Sequence, residues 1–509
     1  MFRPIRLLPV LAVATLLAAC GGDHDNAPPA VTPTAPTRGQ LLSTPTMAGS
    51  YSAADLLSLL SSDPLGKLLL QLAFSPTCTV NVYHMKYETV GGAGEATTAS
   101  GALMVPTGSA ASCQGPRPLV MYAHGTNASK TFNMADLTGN SEALLVASVF
   151  ASQGYSVVAP NYAGYDTSML SYHPYLNGDQ QSKDMIDSLA AGRSAYATAS
   201  TSDSGKLFIT GYSQGGYVAM ATHKAMQAAG TAVTAAAPMS GPYALAAFGD
   251  AIFMGEVDMS APANFDLLVT SYQHSYNNVY TSPTDVFEAQ YASGADGLLP
   301  SATAITAIYS NGQLPQNALF NSTAPGPAYA AMTPATTPAN LAPSFALGFG
   351  TNNLVTNAYR LAYLQDAAAN PDGGYPTTTT GVAAAAPGLA LRQDLKSNDL
   401  RNWMPTAPVL LCAGDSDPTV FYLNTQLIDG YWASTAPTSS VTLLDVDSSA
   451  ASGDPYANEK TGFAAAKTAV EAAAVIGGAN GAMAVLQVYH STLIPPFCLY
   501  AAKSFFDGH

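Results

Sequence analysis

Charge is scarce in this chain. Only 10% of its 509 residues are charged, and 18 lysines and arginines face 33 acids, for a formal charge of −15. That sign excludes nucleic acid as a partner, because phosphate binding needs a basic surface. Beyond the N-terminus no uninterrupted apolar run reaches the ~20 residues that cross a bilayer. The five cysteines and eight histidines fall into no zinc-like spacing, so neither a metal nor another cofactor is called for. Internal repeats are missing. With 48% hydrophobic residues the chain is nonetheless globular, and long enough for a large core.

At the N-terminus, Arg3 and Arg6 precede an apolar stretch, residues 7–19, which is too short for a spanning helix and suits a signal peptide. It ends in Leu17-Ala18-Ala19-Cys20-Gly21, which resembles a bacterial lipobox. The resemblance implies that Cys20 is lipidated, becomes the first mature residue and anchors the protein to a membrane. Gly21 in place of Asp implies the outer membrane. An ordinary secretory signal cut nearby, with Cys20 incidental, is the alternative. Residues 20–40, rich in Pro, Thr and Ala, read as a flexible tether. Cys78, Cys113, Cys412 and Cys498 remain, and an even number in an exported chain suggests disulfides. Of three possible pairings, Cys78–Cys113 and Cys412–Cys498 are favoured because each joins segments expected to be neighbours in the fold.

A short helix is expected at 53–60, then a hairpin of 79–88 and 97–105 joined through Gly91-Gly92-Ala93-Gly94. After it, strands (118–123, 155–159, 207–210, 233–238) alternate with helices (141–153, 181–198, 216–229), the pattern of a mostly parallel sheet with helices on both faces. From about 243 to 403 the alternation lapses into helical stretches such as 265–276, 353–368 and 389–403. It resumes with a strand at 408–413, a helix at 420–432 and a strand at 441–446. An interruption of that length is no loop. The expected organisation is therefore a core of 41–242 and 404–509 split by a helical cap, 243–403.

The most informative feature is Gly211-Tyr212-Ser213-Gln214-Gly215, set between the strand-like Lys206-Leu207-Phe208-Ile209-Thr210 and a helix-like run. The pentapeptide alone is weak, but strand–turn–helix is the setting of a nucleophile elbow, where a tight turn presents a serine hydroxyl. A serine needs an adjacent base, and the base an orienting acid, in the chain order Ser, Asp or Glu, His. Of the eight histidines only His490 and His509 follow a plausible acid, and His509 is terminal. His490 is the expected base. Gly414-Asp415-Ser416-Asp417-Pro418, beyond the 408–413 strand, supplies the acid: Asp417 first, Asp415 as alternative. Either could instead cap the next helix; Asp445 and Asp447 are weaker candidates. Oxyanion donors are expected from the backbone N–H of Gln214 and from Thr126, in Tyr122-Ala123-His124-Gly125-Thr126, with His124 supporting that turn.

These residues, together with Gly414-Asp415-Ser416-Asp417-Pro418 and Tyr489-His490-Ser491-Thr492-Leu493-Ile494-Pro495-Pro496-Phe497-Cys498, resemble the secretory lipase and esterase branch of the α/β-hydrolase superfamily. The resemblance runs from about residue 65 to the C-terminus and is weakest in the cap. It implies the α/β-hydrolase fold and an esterase or lipase with Ser213, Asp417 and His490 as triad, acting on a small or polymeric ester. One departure is an extra helix-like segment, 460–475, which leaves open which strand carries His490. Asn161-Tyr162-Ala163-Gly164-Tyr165 is expected at the pocket rim, with Tyr162 as a substrate contact or as packing. A serine peptidase on the same scaffold is the alternative enzyme, and a catalytically retired surface binding protein the non-enzyme alternative.

Overall fold

The computed structural model describes residues 37–373, 382–435 and 440–509. The signal segment, Cys20 and the tether up to residue 36 lie outside them. The last tether residues are tied to the core: Gly39 N–H donates to Glu88 O at 2.8 Å, and Arg38 pairs with Asp187 at 3.0 Å.

The strands are β1 (Thr46–Tyr51), β2 (Thr79–Val90), β3 (Ala96–Thr107), β4 (Arg117–Ala123), β5 (Ser156–Pro160), β6 (Asp203–Tyr212), β7 (Ala235–Met239), β8 (Phe320–Asn321), β9 (Phe349–Gly350), β10 (Val409–Ala413) and β11 (Val441–Asp445). Nine of them form one sheet in the order β1-β2-β3-β5-β4-β6-β7-β10-β11; β8 and β9 pair separately. Five of the eight neighbour pairings are parallel, and the three antiparallel ones lie at the β1 end. The central strands β5, β7 and β10 are buried along their whole length, as parallel strands covered on both faces must be. β1 escaped the sequence reading because Thr-Met-Ala-Gly-Ser-Tyr is neither alternating nor apolar. Backbone pairing to β2 at the sheet edge is what orders it.

Two groups of helices cover the sheet. Gly178–Ser194 packs on Gln214–Ala228, while Ile494–Asp507 packs on Pro64–Leu70 and Ser141–Val149. The disulfides are Cys78–Cys113, closing 35 residues, and Cys412–Cys498, closing 86 and joining β10 to Ile494–Asp507.

Among the described residues between β7 and β10 the regular structure is mainly helical, including Leu245–Phe253, Ala261–Tyr276, Asn357–Ala369 and Ala390–Ser397. This stretch is poor in charge and keeps several of its charges inside. Arg392 pairs with Asp250 and Asp366 at 2.8 Å each; Arg401 pairs with Asp372 at 2.7 Å and Asp399 at 2.8 Å. Such pairs add little net stability, but losing one partner strands a buried charge, so they hold one geometry. The helix expected to reach residue 403 stops at Ser397, because the Asp399–Arg401 pair turns the chain inward.

The C-terminal region departs from expectation. After β11 come the helices Ala457–Ile476 and Gly481–Val488, a π-helical turn Tyr489–Leu493, and Ile494–Asp507. No strand carries His490; the π turn does. The run Gly481–Asp507 also has the length and mean hydropathy (1.2) of a membrane span, which the sequence reading passed over. Leu493, Ile494, Phe497, Leu499 and Phe506 are buried in the core, which accounts for that apolarity.

Candidate active site

Ser213 stands between β6 and the helix Gln214–Ala228 with φ +58° and ψ −123°, a strained conformation for a residue with a side chain. Its N–H donates to Met239 O of β7 at 3.0 Å, and its carbonyl accepts from Gly216 and Tyr217 at 2.9 and 3.2 Å. The turn needs glycine behind it: a Cβ on Gly215 would lie 1.9 Å from Ala123 O, and one on Gly211 2.3 Å from Gly215 O. The helix thus presses onto β4 closely enough to lift the serine hydroxyl into the cavity.

The imidazole of His490 bridges two groups. Its Nε2 lies 2.8 Å from Ser213 Oγ and its Nδ1 2.7 Å from Asp417 Oδ2. Asp417 is fully buried and uses its two oxygens differently: Oδ2 faces the imidazole, while Oδ1 accepts the N–H groups of Thr419 and Val420 at 2.9 and 3.1 Å. The sequence left open whether this aspartate caps the next helix. That helix begins only at Leu423, so Asp417 instead holds the loop that leads to it while its other oxygen faces the imidazole. Asp415 is exposed, with Ser416 Oγ donating to it. Asp445 accepts from the N–H groups of Asp415 and Asp447. Asp447 accepts from Tyr489 Oη at 2.7 Å and from Lys467, bracing the π turn from below.

Gln214 opens its helix, so its N–H has no acceptor within it. Thr126 lines the same cavity, its hydroxyl 2.9 Å from Tyr175 Oη. The turn before Thr126 is held from two sides. Glu142 Oε1 accepts from Gly125 N–H at 2.9 Å and Tyr122 Oη at 2.7 Å, and burial pushes its carboxyl up to about 7. His124, fully buried and pushed down to about 4 by burial, has Nδ1 2.7 Å from Gly125 O and stacks on Tyr162 with ring centroids 4.1 Å apart. Tyr162, expected at the pocket rim, is instead fully buried, and its hydroxyl donates to His124 O at 3.1 Å. It packs beneath the turn because its ring is held between the imidazoles of His124 and His173, with centroids 4.1 and 5.6 Å away.

The hydroxyl of Ser213, the imidazole of His490 and the residues Gln214 and Thr126 line a cavity of about 540 Å³. Leu245, Phe248, Ile252, Phe265 and Ile305, from between β7 and β10, supply much of its apolar wall. Among the described lining residues are two carboxyls, Glu142 and Asp258, and no lysine or arginine. Asp258 accepts from Asn264 Nδ2 at 3.1 Å and is likewise pushed up to about 7 by burial. No group of three or more His, Cys, Asp or Glu among the described residues is placed to hold a metal. Sequence reasoning missed Tyr212, Glu142, His173 and Tyr175. Tyr212 sat in a variable position of the pentapeptide, and nothing in spacing marks the others.

Comparison with known proteins agrees with this fold. Residues 142–286 match the model of the prolyl oligopeptidase family. No curated protein sequence matches the chain. Among solved structures, the rice cell wall degrading esterase LipA from Xanthomonas oryzae is 26% identical, with a TM-score of 0.63 over 90% of this chain and 99% of that one. A variant of LipA gives 24% and 0.67 over 93% and 99%. A Legionella pneumophila structure, 18% identical, gives 0.64 over 92% and 98%. The chain has the α/β-hydrolase fold and is similar to serine hydrolases of its esterase and lipase branch.

Proposed function

We propose that this chain is an exported serine carboxylic-ester hydrolase with Ser213 as nucleophile, His490 as base and Asp417 as orienting acid. The observation that carries the reading is the unbroken contact from Asp417 through His490 to Ser213 at the wall of an apolar cavity. Ser213 Oγ attacks the ester carbonyl as His490 Nε2 takes its proton, and Asp417 stabilises the imidazolium. The N–H groups of Gln214 and Thr126 receive the developing oxyanion. Collapse expels the alcohol, which gains its proton from His490. Water, deprotonated by the same imidazole, then releases the acid and restores Ser213.

Residues 243–403 serve as a cap in this reading, supplying the acyl-side wall. The likeness to LipA points to plant-wall or similarly bulky esters as substrates. Two disulfides fit an oxidising compartment, and lipidation of Cys20 would hold the protein at the outer membrane. Cys20→Ser then releases it from the membrane fraction; unchanged fractionation refutes the anchor.

A fluorophosphonate probe tests the central reading. Labelling of the native chain, abolished by Ser213→Ala, is expected; a folded protein that resists the probe overturns it. The family match over 142–286 favours a second reading, a serine peptidase. Faster cleavage of an aminoacyl amide than of the matching ester would establish it.

A further inference from the structure

The short segment His173-Pro174-Tyr175 touches both residues that frame the oxyanion position. His173 is almost completely buried, and its Nδ1 lies 2.9 Å from the carbonyl oxygen of Ala163. A carbonyl accepts only, so the proton is on Nδ1. Burial pushes this imidazole down to about 3, so it is neutral and its Nε2 is a bare acceptor. That acceptor faces the side-chain Nε2 of Gln214 at 2.6 Å and that of Gln181 at 3.4 Å. The imidazole therefore dictates which way the Gln214 amide points, and Gln214 Oε1 is left buried with no partner.

Two residues on, the Tyr175 hydroxyl lies 2.9 Å from Thr126 Oγ1. A tight backbone turn joins the two residues, Tyr175 N–H donating to His173 O at 2.7 Å. Their loop is itself rigid. The His173 ring packs against Tyr165 and Tyr162 at centroid distances of 4.7 and 5.6 Å. A Cβ on Gly164 would come within 2.3 Å of Tyr172 O.

We propose that His173-Pro174-Tyr175 is the positioning element of the oxyanion pocket, His173 holding Gln214 and Tyr175 holding Thr126 so that their backbone N–H groups stay aimed at one point. This rests on the hydrolase reading above. The physical need lies at Ser213. The Ser213–Gln214 peptide sits in a strained turn, held at its carbonyl by the N–H groups of Gly216 and Tyr217, and rotation about its Cα–Cα axis would swing the Gln214 N–H away. A pinned Gln214 side chain resists that rotation. Donors fixed before the reaction stabilise the oxyanion without reorganising, which is where most of their catalytic effect originates.

The test uses the full chain on a short-acyl nitrophenyl ester, with kcat and KM measured separately. Tyr175→Phe removes one hydroxyl and nothing else. His173→Leu removes the acceptor at similar volume. His173→Gln can still donate to Ala163 and accept from Gln214. The expected result is a kcat about tenfold lower or more in Tyr175→Phe and His173→Leu, KM within about twofold, and substantial recovery in His173→Gln. Binding of a boronate that mimics the tetrahedral adduct weakens in parallel with kcat. Unchanged kcat in Tyr175→Phe overturns the proposal, as does a His173→Gln enzyme no faster than His173→Leu. The two readings fail distinguishably. A wild-type chain inert to ester and fluorophosphonate removes the hydrolase reading itself, whereas an active wild type with equally active variants removes only the positioning role.

Discussion

The hydroxyl of Tyr212 donates to the backbone carbonyl of His490 at 2.5 Å, so the residue before the elbow serine clamps the residue whose ring faces that serine. The ring of Tyr212 also lies against the imidazole, centroids 5.0 Å apart. Burial, aided by the charge of Asp417, pushes its phenol well above its usual range, so it remains a donor. The clamp matters because His490 rides on a π turn, whose widened backbone leaves carbonyls short of regular helical partners.

Tyr212→Phe is accordingly expected to lower kcat about tenfold by letting the imidazole drift, and to cost about 1 kcal/mol of stability for one lost hydrogen bond. Steady-state kinetics and a denaturation curve on the same preparation check both. An unaltered kcat would show that the π turn holds His490 unaided.

Asp417→Asn leaves an oxygen for the N–H groups of Thr419 and Val420, so the loop is expected to stay folded. Its amide no longer stabilises an imidazolium, and kcat is expected to fall by roughly 10⁴. Asp415→Asn, at an exposed site, is expected to stay within about twofold of wild type. The reverse ranking would exchange their roles.

Stability is expected to fall as pH rises from about 6.5 to 8. In that range the buried imidazoles of His124, His173 and His223, all pushed down by burial, are neutral in the folded chain and mostly neutral in the unfolded one. Burial raises the carboxyls of Glu142, Asp184 and Asp258 to about 7, so the folded chain binds these protons more tightly than the unfolded one. Their contribution is complete below the ordinary carboxyl range near 4 and is lost as pH climbs through 7. Asp136 and Asp366 are held low and change only beneath that window. Calorimetry on Ser213→Ala should give a declining Tm across these pH values, less steep in Glu142→Gln. A flat profile would mean that these carboxyls are ionised in the fold.

Cys412–Cys498 ties β10, just before Asp417, to the helix just after His490. The double substitution to Ser is expected to cost about 2–5 kcal/mol, and to lower kcat beyond what partial unfolding explains. Loss of Cys78–Cys113, remote from this junction, is expected to lower stability alone. Equal kinetic effects from both would refute the link between the bridge and site geometry.

Much of the fold was legible because the central strands are locally marked. Runs such as Leu119-Val120-Met121-Tyr122 suit strands buried on both faces, and the glycines around Ser213 gain their meaning from the strand before them and the helix after. The edge strand β1 carries no such mark, since pairing with a distant partner makes it a strand. The C-terminal region was harder still. Ala457–Ile476 was visible as a helix, but apolar periodicity could not reveal that Tyr489–Leu493 winds as a π turn.

The order Ser213, Asp417, His490 and the strand–turn–helix about the serine are properties of the sequence, because they depend on neighbours along the chain. Which aspartate faces the imidazole was decided by folding, since Asp415 and Asp417 are chemically equal and only burial beneath His490 separates them. The supports from Tyr212, His173, Tyr175 and Glu142 arose the same way. Each is an ordinary side chain whose partner lies far away in sequence, and a hydrogen bond is defined by distance in space, which only the packed sheet and its covering helices set.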